Sequence, residues 1–311
     1  YIAIRRPMKT PESGTEVFLA STVASGVQIA TGFNVDLWIN GSKDGSAGVS
    51  SQLTMDRMRG AKYLRTTQTT ADTGTNNPFT TGPSNTFTNI TQGGVGVAWM
   101  FKRATGFMDA VAYSGTNGTI SRNHNLGVAP ELMITKRRDS ASAWTVLSEL
   151  DGSSYSEMSL NSTIDKSTRT YASNQYLTAQ PTATVFAQAA SYDNESGGTY
   201  ITYLFATLAG VSKVGSYTGN AGYAVNVDCG FSAGARFILI KRTDSTGDWY
   251  TYDSARGIVA GNDPYLLLNS TAAEVTNTDY IDPLASGFTV TSSAPAGLNA
   301  SGGSYIFLAI A

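Results

Sequence analysis

Cysteine and histidine are almost absent from this chain, which has one of each, Cys229 and His124. A single cysteine excludes an intrachain disulfide and a multi-cysteine zinc site. One histidine and one cysteine also give too few nitrogen and sulfur ligands for a conventional zinc or iron centre within one chain. We therefore predict no metal, no cofactor and no catalytic residue. One alternative stays open, a metal held by His124 from three chains around an oligomer axis.

Charge is also scarce, since only 14% of the residues are charged and the net charge is −2. No dense block of Lys and Arg occurs, so the positive field that holds nucleic acid phosphates is missing. Apolar runs of about 18 residues, the length of a membrane-spanning helix, are missing as well. We predict neither a nucleic acid partner nor membrane insertion.

The amino end lacks the apolar core of a signal peptide. It begins with Tyr1 in what reads as the middle of a strand, so we expect that sequence upstream is missing or was removed. What the chain has in quantity is glycine, with 32 residues, together with much Ser, Thr and Asn. This composition is typical of many short strands joined by tight turns, and it predicts an all-β protein.

One stretch of sequence occurs twice. It reads PELMITKRRDSASAW up to Trp144 and ARFILIKRTDSTGDW up to Trp249. Asp139 and Asp244 occupy the same place in the two copies, and Asp44 occupies that place in a weaker third copy that lacks the tryptophan. Such in-register similarity indicates an internal repeat.

We interpret the repeated stretch as a β-hairpin with a charged tip. An apolar strand leaves the core, Lys241 and Arg242 reach solvent, Asp244 and its neighbours form the turn, and Trp249 begins the next strand. Asp and Ser favour turns because the Asp side chain bonds backbone amides two residues further on.

A second recurring segment follows a glycine-rich turn each time, at residues 97–104, 199–206 and 304–311, and a related run stands at residues 1–4. We predict that it is the strand that closes each repeat. The predicted fold is therefore all-β, with tandem antiparallel β-sandwich repeats of about 100 residues each. The predicted boundaries are 1–9 for the end of a preceding repeat, then 10–104, 105–209 and 210–311.

The second and third repeats open with similar segments, FMDAVAYSGTNGTI and VGSYTGNAGYAV. In each, a strand with an aromatic residue leads into a Gly/Asn turn suited to positive φ, followed by a second short strand. We predict that each segment is a β-hairpin.

The repeated acidic and aromatic residues have two interpretations. Asp139, Asp244 and Asp248 could bind a cation, but a calcium loop needs several oxygens at fixed spacing and this segment supplies two carboxylates. Trp144 and Trp249 could stack on sugars, but tryptophan at the same register in two repeats is typical of packing. We favour turn chemistry for the aspartates and a core position for the tryptophans.

Other catalytic arrangements are also weak. His124 and Cys229 fall at equivalent places of different repeats, which argues against a nucleophile and base within hydrogen-bond reach. A glycosidase pair could be drawn from Asp253, Asp263 and Asp279, yet these residues stand at turn positions beside Gly, Asn and Pro. The structural interpretation is preferred for all of them.

Two long segments, YSGTNGTISRNHNLGVAPELMITKRRDSASAWTV and CGFSAGARFILIKRTDSTGDWY, together with the end of the chain, SGFTVTSSAPAGLNASGGSYIFLAIA, resemble a repeated domain of tailed-bacteriophage tail-fibre-like proteins, especially those of marine phages. The resemblance covers nearly the whole chain and is weakest at residues 60–95 and 150–185. It implies a virion component in a tail fibre or another external, extracellular appendage, and it carries over no assigned catalytic residues.

The resulting expectation is a non-enzymatic virion structural protein in a tail-fibre segment that attaches to the host surface. Its expected partners are itself, as a homo-oligomer and by analogy with phage fibres a trimer, other virion proteins, and a host glycan or protein. We expect host contact in the loops where the repeats differ, at residues 66–95, 148–180 and 257–282. The alternatives are a capsid decoration or head-fibre protein, and a fibre-borne polysaccharide depolymerase.

Overall fold

The computed structural model describes residues 8–24, 27–45, 52–74, 86–88, 95–150 and 152–311. The first strands in these ranges are β1 (Phe18–Ala24), β2 (Gln28–Ala30), β3 (Leu37–Ser42), β4 (Leu53–Asp56), β5 (Leu64–Arg65), β6 (Thr86–Thr88) and β7 (Val95–Phe101). The middle strands are β8 (Met108–Ser114), β9 (Ile120–Asn123), β10 (Leu132–Arg137), β11 (Trp144–Ser148), β12 (Ser154–Ser159), β13 (Ser167–Thr170), β14 (Val185–Gln188) and β15 (Thr199–Phe205).

The last strands are β16 (Ser212–Thr218), β17 (Val225–Asp228), β18 (Phe237–Arg242), β19 (Trp249–Asp253), β20 (Leu266–Leu267), β21 (Ile281–Leu284), β22 (Gly287–Val290) and β23 (Ser304–Ile310). Helical structure among the described residues is confined to two 3₁₀ turns, Gly14–Glu16 and Tyr171–Ser173, and one helical turn, α1 (Ala296–Asn299). The prediction of an all-β protein is confirmed.

Three large antiparallel sheets dominate the part of the chain that the structure describes. The first has the order β1-β7-β3-β4-β5, the second β8-β15-β10-β11-β12-β13, and the third β16-β23-β18-β19-β20. We call the part of the chain that forms one large sheet, from its first strand to its closing strand, a segment. In each sheet the closing strand (β7, β15 or β23) lies between the first strand (β1, β8 or β16) and the first strand of the hairpin (β3, β10 or β18). Three smaller sheets accompany them, β2-β6, β9-β14 and β17-β22-β21. Residues at the same place in the pairing pattern of the large sheets are termed corresponding residues.

The corresponding residues follow from the strand registers. Ile39 pairs with Trp99 in the first sheet, Ile134 with Tyr203 in the second, and Leu239 with Leu308 in the third. The predicted closing strand is present as β7, β15 and β23, while its proposed copy at residues 1–4 lies outside the described residues. The predicted hairpin is also present, as β10 with β11 and as β18 with β19.

The two predicted opening hairpins are wrong. β8 pairs with β15 and β9 pairs with β14, so the two strands that were expected to pair lie in different sheets. The same holds for β16, which pairs with β23, and β17, which pairs with β22. The closing strand pairs along seven residues with the opening strand. The opening strand therefore forms its hydrogen bonds with the closing strand in this long antiparallel ladder, and not with the strand that follows it in the sequence.

Each large sheet buries side chains on both of its faces. One face packs on the accompanying small sheet, as Ile238, Tyr252 and Phe307 do against Phe288 and Val290 in the third segment. The opposite faces of all three large sheets meet in one hydrophobic cluster that includes Trp99, Tyr203 and Leu308. Strand residues alternate between the two faces, so a single strand such as β23 contributes to its own core and to the shared one.

The shared cluster, here called the central core, contains both repeated tryptophans. Trp144 and Trp249 are each 1% exposed, so the predicted core position is confirmed. They do not lie inside the core of a single segment, however, because their neighbours include side chains of another large sheet. The two tryptophans, which hold the same position in the second and third segments, therefore pack between sheets.

Candidate functional site

The three large sheets contact one another in a closed ring, and the backbone hydrogen bonds repeat around it. The N–H of Asp72 donates to the carbonyl of Arg138 at 2.7 Å, joining the first sheet to the second. Lys166 donates to Thr243 at 3.0 Å, joining the second to the third. The N–H of Glu274 donates to the carbonyl of Lys43 at 3.0 Å, which joins the third sheet back to the first.

A side-chain bond repeats with the same pattern. Trp144 Nε1 donates to the carbonyl of Arg65 at 2.8 Å, and Trp249 Nε1 donates to the carbonyl of Ser159 at 3.1 Å. The first segment has Gln52 at the corresponding position, and its Nε2 donates to Leu267 O at 3.3 Å. Gln52 therefore makes the contact that the missing tryptophan would make.

The predicted exposure of the lysine at the hairpin tip is wrong. Lys136 and Lys241 are fully buried. Each ammonium donates across the contact between two large sheets, which we call a junction, to Thr69 O at 3.1 Å and to Thr163 O at 3.2 Å. Each also donates to the carbonyl of the next residue in the chain. Burial lowers the pKa of both lysines to about 8. Their sequence context gave no sign that a neighbouring sheet would supply the acceptors.

The aspartates of the hairpin tip are exposed and perform a structural task. Asp139 accepts a hydrogen bond from the N–H of Thr199 at 2.7 Å, and Asp244 accepts one from Ser304 at 3.0 Å. Each also pairs with the arginine two residues earlier, Arg137 or Arg242. The aspartates thus tie the tip to the start of the closing strand, rather than to amides two residues on.

Two of the three junctions contain a buried Asp–Arg pair. Asp56 pairs with Arg59 in the first segment, and Asp253 pairs with Arg256 at 2.7 Å in the third, all four side chains being 0% exposed. The phenol of Tyr203, from the second sheet, donates to Asp56 at 2.7 Å. The corresponding donor from the first sheet, Trp99 Nε1, reaches Asp253 at 2.9 Å.

Each guanidinium is held by further groups. Arg59 donates to Asp72 at 2.7 Å and to Thr54 O at 3.0 Å. Arg256 donates to Thr251 O at 2.9 Å and has Glu274 at 3.5 Å. Burial opposes the charge on Arg59, but Tyr203 and the two carboxylates outweigh it and raise the pKa of the guanidinium.

The junction between the second and third sheets differs from these two. Ser148 corresponds to Asp56 and Asp253, and Leu308 corresponds to the hydrogen-bond donors Trp99 and Tyr203. Both the acid and its donor are therefore replaced at the same junction. A cavity of about 510 Å³ opens there, lined by residues of both sheets including Ser148, Leu308 and Trp249. We refer to it as the junction cavity.

Sequence reasoning missed the junction cavity although a signal for it was present. The segment Asp56–Gly60 matches residues 253–257 in the sequence, which marks the Asp–Arg pair in two segments. The second segment has Ser148 at the matching place. The serine in place of the aspartate therefore marks the second segment as the one whose junction lacks the Asp–Arg pair.

His124 directly follows β9 and Cys229 directly follows β17, so the two residues occupy equivalent places in the second and third segments. His124 is 5% exposed, and its ring bonds Thr182 O and accepts the N–H of Leu126 at 3.2 Å. Burial lowers its pKa. Both residues therefore lie at strand ends in different segments, each packed within its own segment.

The Cys229 thiol is expected to be inert in the folded protein. It is 5% exposed, and burial, with a smaller contribution from Asp228, raises its pKa to about 12. Because the thiolate is the reactive form, an aromatic disulfide reagent at pH 8 should leave the native chain unlabelled while labelling it fully in concentrated guanidinium chloride. Rapid labelling of the native chain would show that the site is open.

The three carboxylates considered for a glycosidase pair serve separate structural contacts. Asp253 belongs to the ion pair with Arg256, and Asp279 accepts the N–H of Gly261 at 3.1 Å. Asp263 is fully buried and accepts N–H bonds from Tyr280 and Ile281. None of the three lines the junction cavity.

Asp193 gives the second segment a pH-dependent stability. It is 8% exposed, and burial raises its pKa to about 7 against the hydrogen bond from Thr145 at 3.2 Å. The carboxyl of an unfolded chain has a pKa of about 4. Between these values the unfolded state loses a proton that the folded state keeps, so Asp193 lowers stability as pH rises, by up to about 1.4 kcal/mol per pH unit.

We expect Asp193→Asn to flatten this dependence and to be more stable than the parent chain at pH 8. Urea unfolding at pH 4, 5.5, 7 and 8 measures the difference between the two chains, and that difference separates Asp193 from other titrating groups. Asp228→Asn, which removes an exposed carboxylate, provides the control for the loss of one negative charge. Parallel profiles for Asp193→Asn and the parent would contradict the assignment.

No group of three or more His, Cys, Asp or Glu residues that could hold a metal ion occurs among the described residues. The described part of the chain also contains no helix that is long and apolar enough to cross a membrane. What the geometry defines is an all-β protein whose three large sheets share a core. The residues considered above for catalysis make structural contacts.

A comparison with models of known protein families identifies the family of this chain. Residues 82–311, about three quarters of the sequence, match the model of a domain of unknown function, DUF7483, and the chain belongs to that family. No curated protein and no solved structure matches it.

Proposed function

We propose that the chain is a non-enzymatic structural segment of a phage virion, part of a tail fibre or similar external appendage that attaches to the host surface. The observation that carries the proposal is the closed ring of sheet contacts, in which Lys136, Lys241 and the two buried Asp–Arg pairs are committed to holding the sheets together. A fibre segment needs this kind of rigid body. The resemblance to tail-fibre-like domains supplies the virion setting.

The proposal includes the organisation of the chain as tandem antiparallel β-sandwich repeats of about 100 residues, at residues 10–104, 105–209 and 210–311. The shared strand order of the three large sheets supports it. So do the matching contacts made by Trp144, Trp249 and Gln52 at the three junctions. The ring of contacts adds that these repeats pack around one core instead of extending as separate beads.

Host attachment is assigned to the loops in which the repeats differ. Parts of these loops form the junctions, since Thr69, Asp72 and Thr163 bond neighbouring sheets. Other parts face solvent with large apolar side chains, Ile164 at 61% exposure and Val259 at 50%. Exposed apolar groups on a rigid frame are typical of contact surfaces.

Labelling of intact particles tests the location. Gold-conjugated antibodies raised against this chain should bind at the tail appendages of the phage that encodes it. Label on the head would favour the alternative of a capsid decoration or head fibre, and particles without any label would contradict a virion role.

The expected assembly is a homo-oligomer, and by analogy with phage fibres a trimer. Light scattering coupled to size-exclusion chromatography measures the mass in solution. A mass three times that of one chain at micromolar concentration is the expected result, and a stable monomer would count against a self-assembling fibre.

A further inference from the structure

The three junctions have the same architecture and differ in what fills them. At the first–second junction the guanidinium of Arg59 bonds Asp56 and Asp72, with Tyr203 closing the site. At the third–first junction Arg256 pairs with Asp253, has Glu274 nearby, and lies over the ring of Trp99 at 5.7 Å from its centroid. In both, a cation on an aliphatic stem lies between two carboxylates and an aromatic donor.

The second–third junction has the same strand arrangement, but Ser148 and Leu308 stand in place of the aspartate and the aromatic donor. Its junction cavity has a volume of about 510 Å³, which lies within the range of pockets that take small organic ligands. The walls combine apolar side chains, among them Leu132, Val214 and Leu308, with the two carboxylates of Glu131 and Glu149. None of the described residues that line it is Lys or Arg.

One buried polar group in this wall lacks a partner. Ser148 is 1% exposed, lines the junction cavity, and its Oγ makes no hydrogen bond within the described chain. A buried hydroxyl without a partner is unfavourable, so a ligand group that bonds it gains affinity. The corresponding residues, Asp56 and Asp253, both accept a hydrogen bond from an arginine.

Two carboxylates stand at the cavity, Glu149, which is ion-paired with Lys166, and Glu131. Lys166 stands where the other junctions have Asp72 and Glu274, and it donates to Glu149 at 2.7 Å. Burial raises the pKa of Glu149, but hydrogen bonds from Lys166 and Ser156 outweigh this and lower it, so the carboxylate is ionised at neutral pH. Glu131 accepts a bond from Thr207 at 2.6 Å, and no lysine or arginine of the described chain pairs with it, so its negative charge remains for a ligand.

We propose that the junction cavity binds a guanidinium group on a short aliphatic stem, in the place that Arg59 and Arg256 fill at the other two junctions. The guanidinium donates to Ser148 Oγ and to the carboxylates of Glu131 and Glu149. The stem packs on the apolar wall at Leu308. The ligand is either a free molecule of this kind or the arginine side chain of a peptide, because the two share this chemistry.

Isothermal titration calorimetry of the full chain tests the proposal with n-butylguanidinium. A single site with a dissociation constant on the order of 1 mM or tighter is expected for a ligand of this size. The neutral isostere n-butylurea should bind at least about tenfold more weakly, which is about 1.4 kcal/mol. Titration with N-acetylarginine amide distinguishes the sources, since tighter binding than butylguanidinium indicates a peptide arginine.

Two variants connect the binding to this cavity. Leu308→Tyr introduces the side chain of the corresponding Tyr203 and should fill the space, abolishing binding. The double variant Glu131→Gln/Glu149→Gln removes the negative charge and should weaken binding at least about tenfold, whereas Glu157→Gln, which breaks an ion pair with Arg169 in the same sheet, should leave it unchanged. No heat with butylguanidinium up to 20-fold the expected constant overturns the proposal. Equal binding of butylurea, or unchanged binding in the double variant, overturns it as well.

Discussion

Replacing Asp56 by Ala is expected to lower the free energy of unfolding by about 3–5 kcal/mol. The variant leaves the Arg59 guanidinium buried, with Asp72 as its remaining carboxylate partner. It also removes the acceptor of the Tyr203 hydroxyl, which comes from the second sheet. Urea unfolding at pH 7, followed by tryptophan fluorescence, measures the loss.

Two control variants separate the ion pair from a general effect of losing a carboxylate. Asp139→Ala removes an exposed carboxylate that also pairs with an arginine, and should cost less than about 1 kcal/mol. The double variant Asp56→Leu/Arg59→Met replaces both charges by apolar groups of similar size and should recover most of the loss. A loss below 1 kcal/mol for Asp56→Ala would show that the buried ion pair contributes little to holding the two sheets together.

Replacing Trp99 by Ala is expected to lower the free energy of unfolding by about 3–5 kcal/mol, the usual range for removing a buried tryptophan. Trp99 is 0% exposed in the central core, and its Nε1 donates to Asp253 of the third sheet at 2.9 Å. The variant therefore opens a cavity where the first and third sheets meet and leaves the buried Asp253 carboxylate without this donor.

Trp99→Phe resolves the two contributions. It keeps most of the apolar volume and loses the hydrogen bond, so a loss of about 1–3 kcal/mol is expected. Tyr223 is 69% exposed, and Tyr223→Ala should change stability by less than about 0.5 kcal/mol. Equal effects of Trp99→Ala and Tyr223→Ala would show that Trp99 does not stabilise the contact between the first and third sheets.

Much of the fold could be predicted because its signals are local. The strand expected after each glycine-rich turn, at residues 199–206 and 304–311, forms as β15 and β23. The hairpin of β10 and β11 depends only on strands adjacent in sequence and on the turn residues between them, and its strands pair as predicted.

What could not be predicted depends on partners far along the chain. Whether β8 pairs with β9 or with β15 depends on which strand offers the longer ladder, and β15 comes after the rest of the segment. The burial of Lys241 depends on the carbonyl of Thr163 in another sheet. A Lys-Arg pair after an apolar run is typical of a strand that enters solvent, and only the packed sheets reverse this expectation.

The candidate site illustrates the same limit. The junction cavity arises because two residues far apart in sequence, Ser148 and Leu308, both differ from their counterparts at the one junction where they meet. Sequence comparison of the segments reveals each difference separately. That the two differences lie opposite each other follows only from the ring of contacts.

Differential scanning calorimetry most directly tests the claim that three sheets form one body around a shared core. A shared core couples the segments, so we expect one transition whose calorimetric enthalpy equals the van't Hoff enthalpy. Trp99→Ala should lower the temperature of that single transition. Separate transitions in the parent chain, with a calorimetric enthalpy about three times the van't Hoff value, would show that the segments unfold independently and would contradict the account.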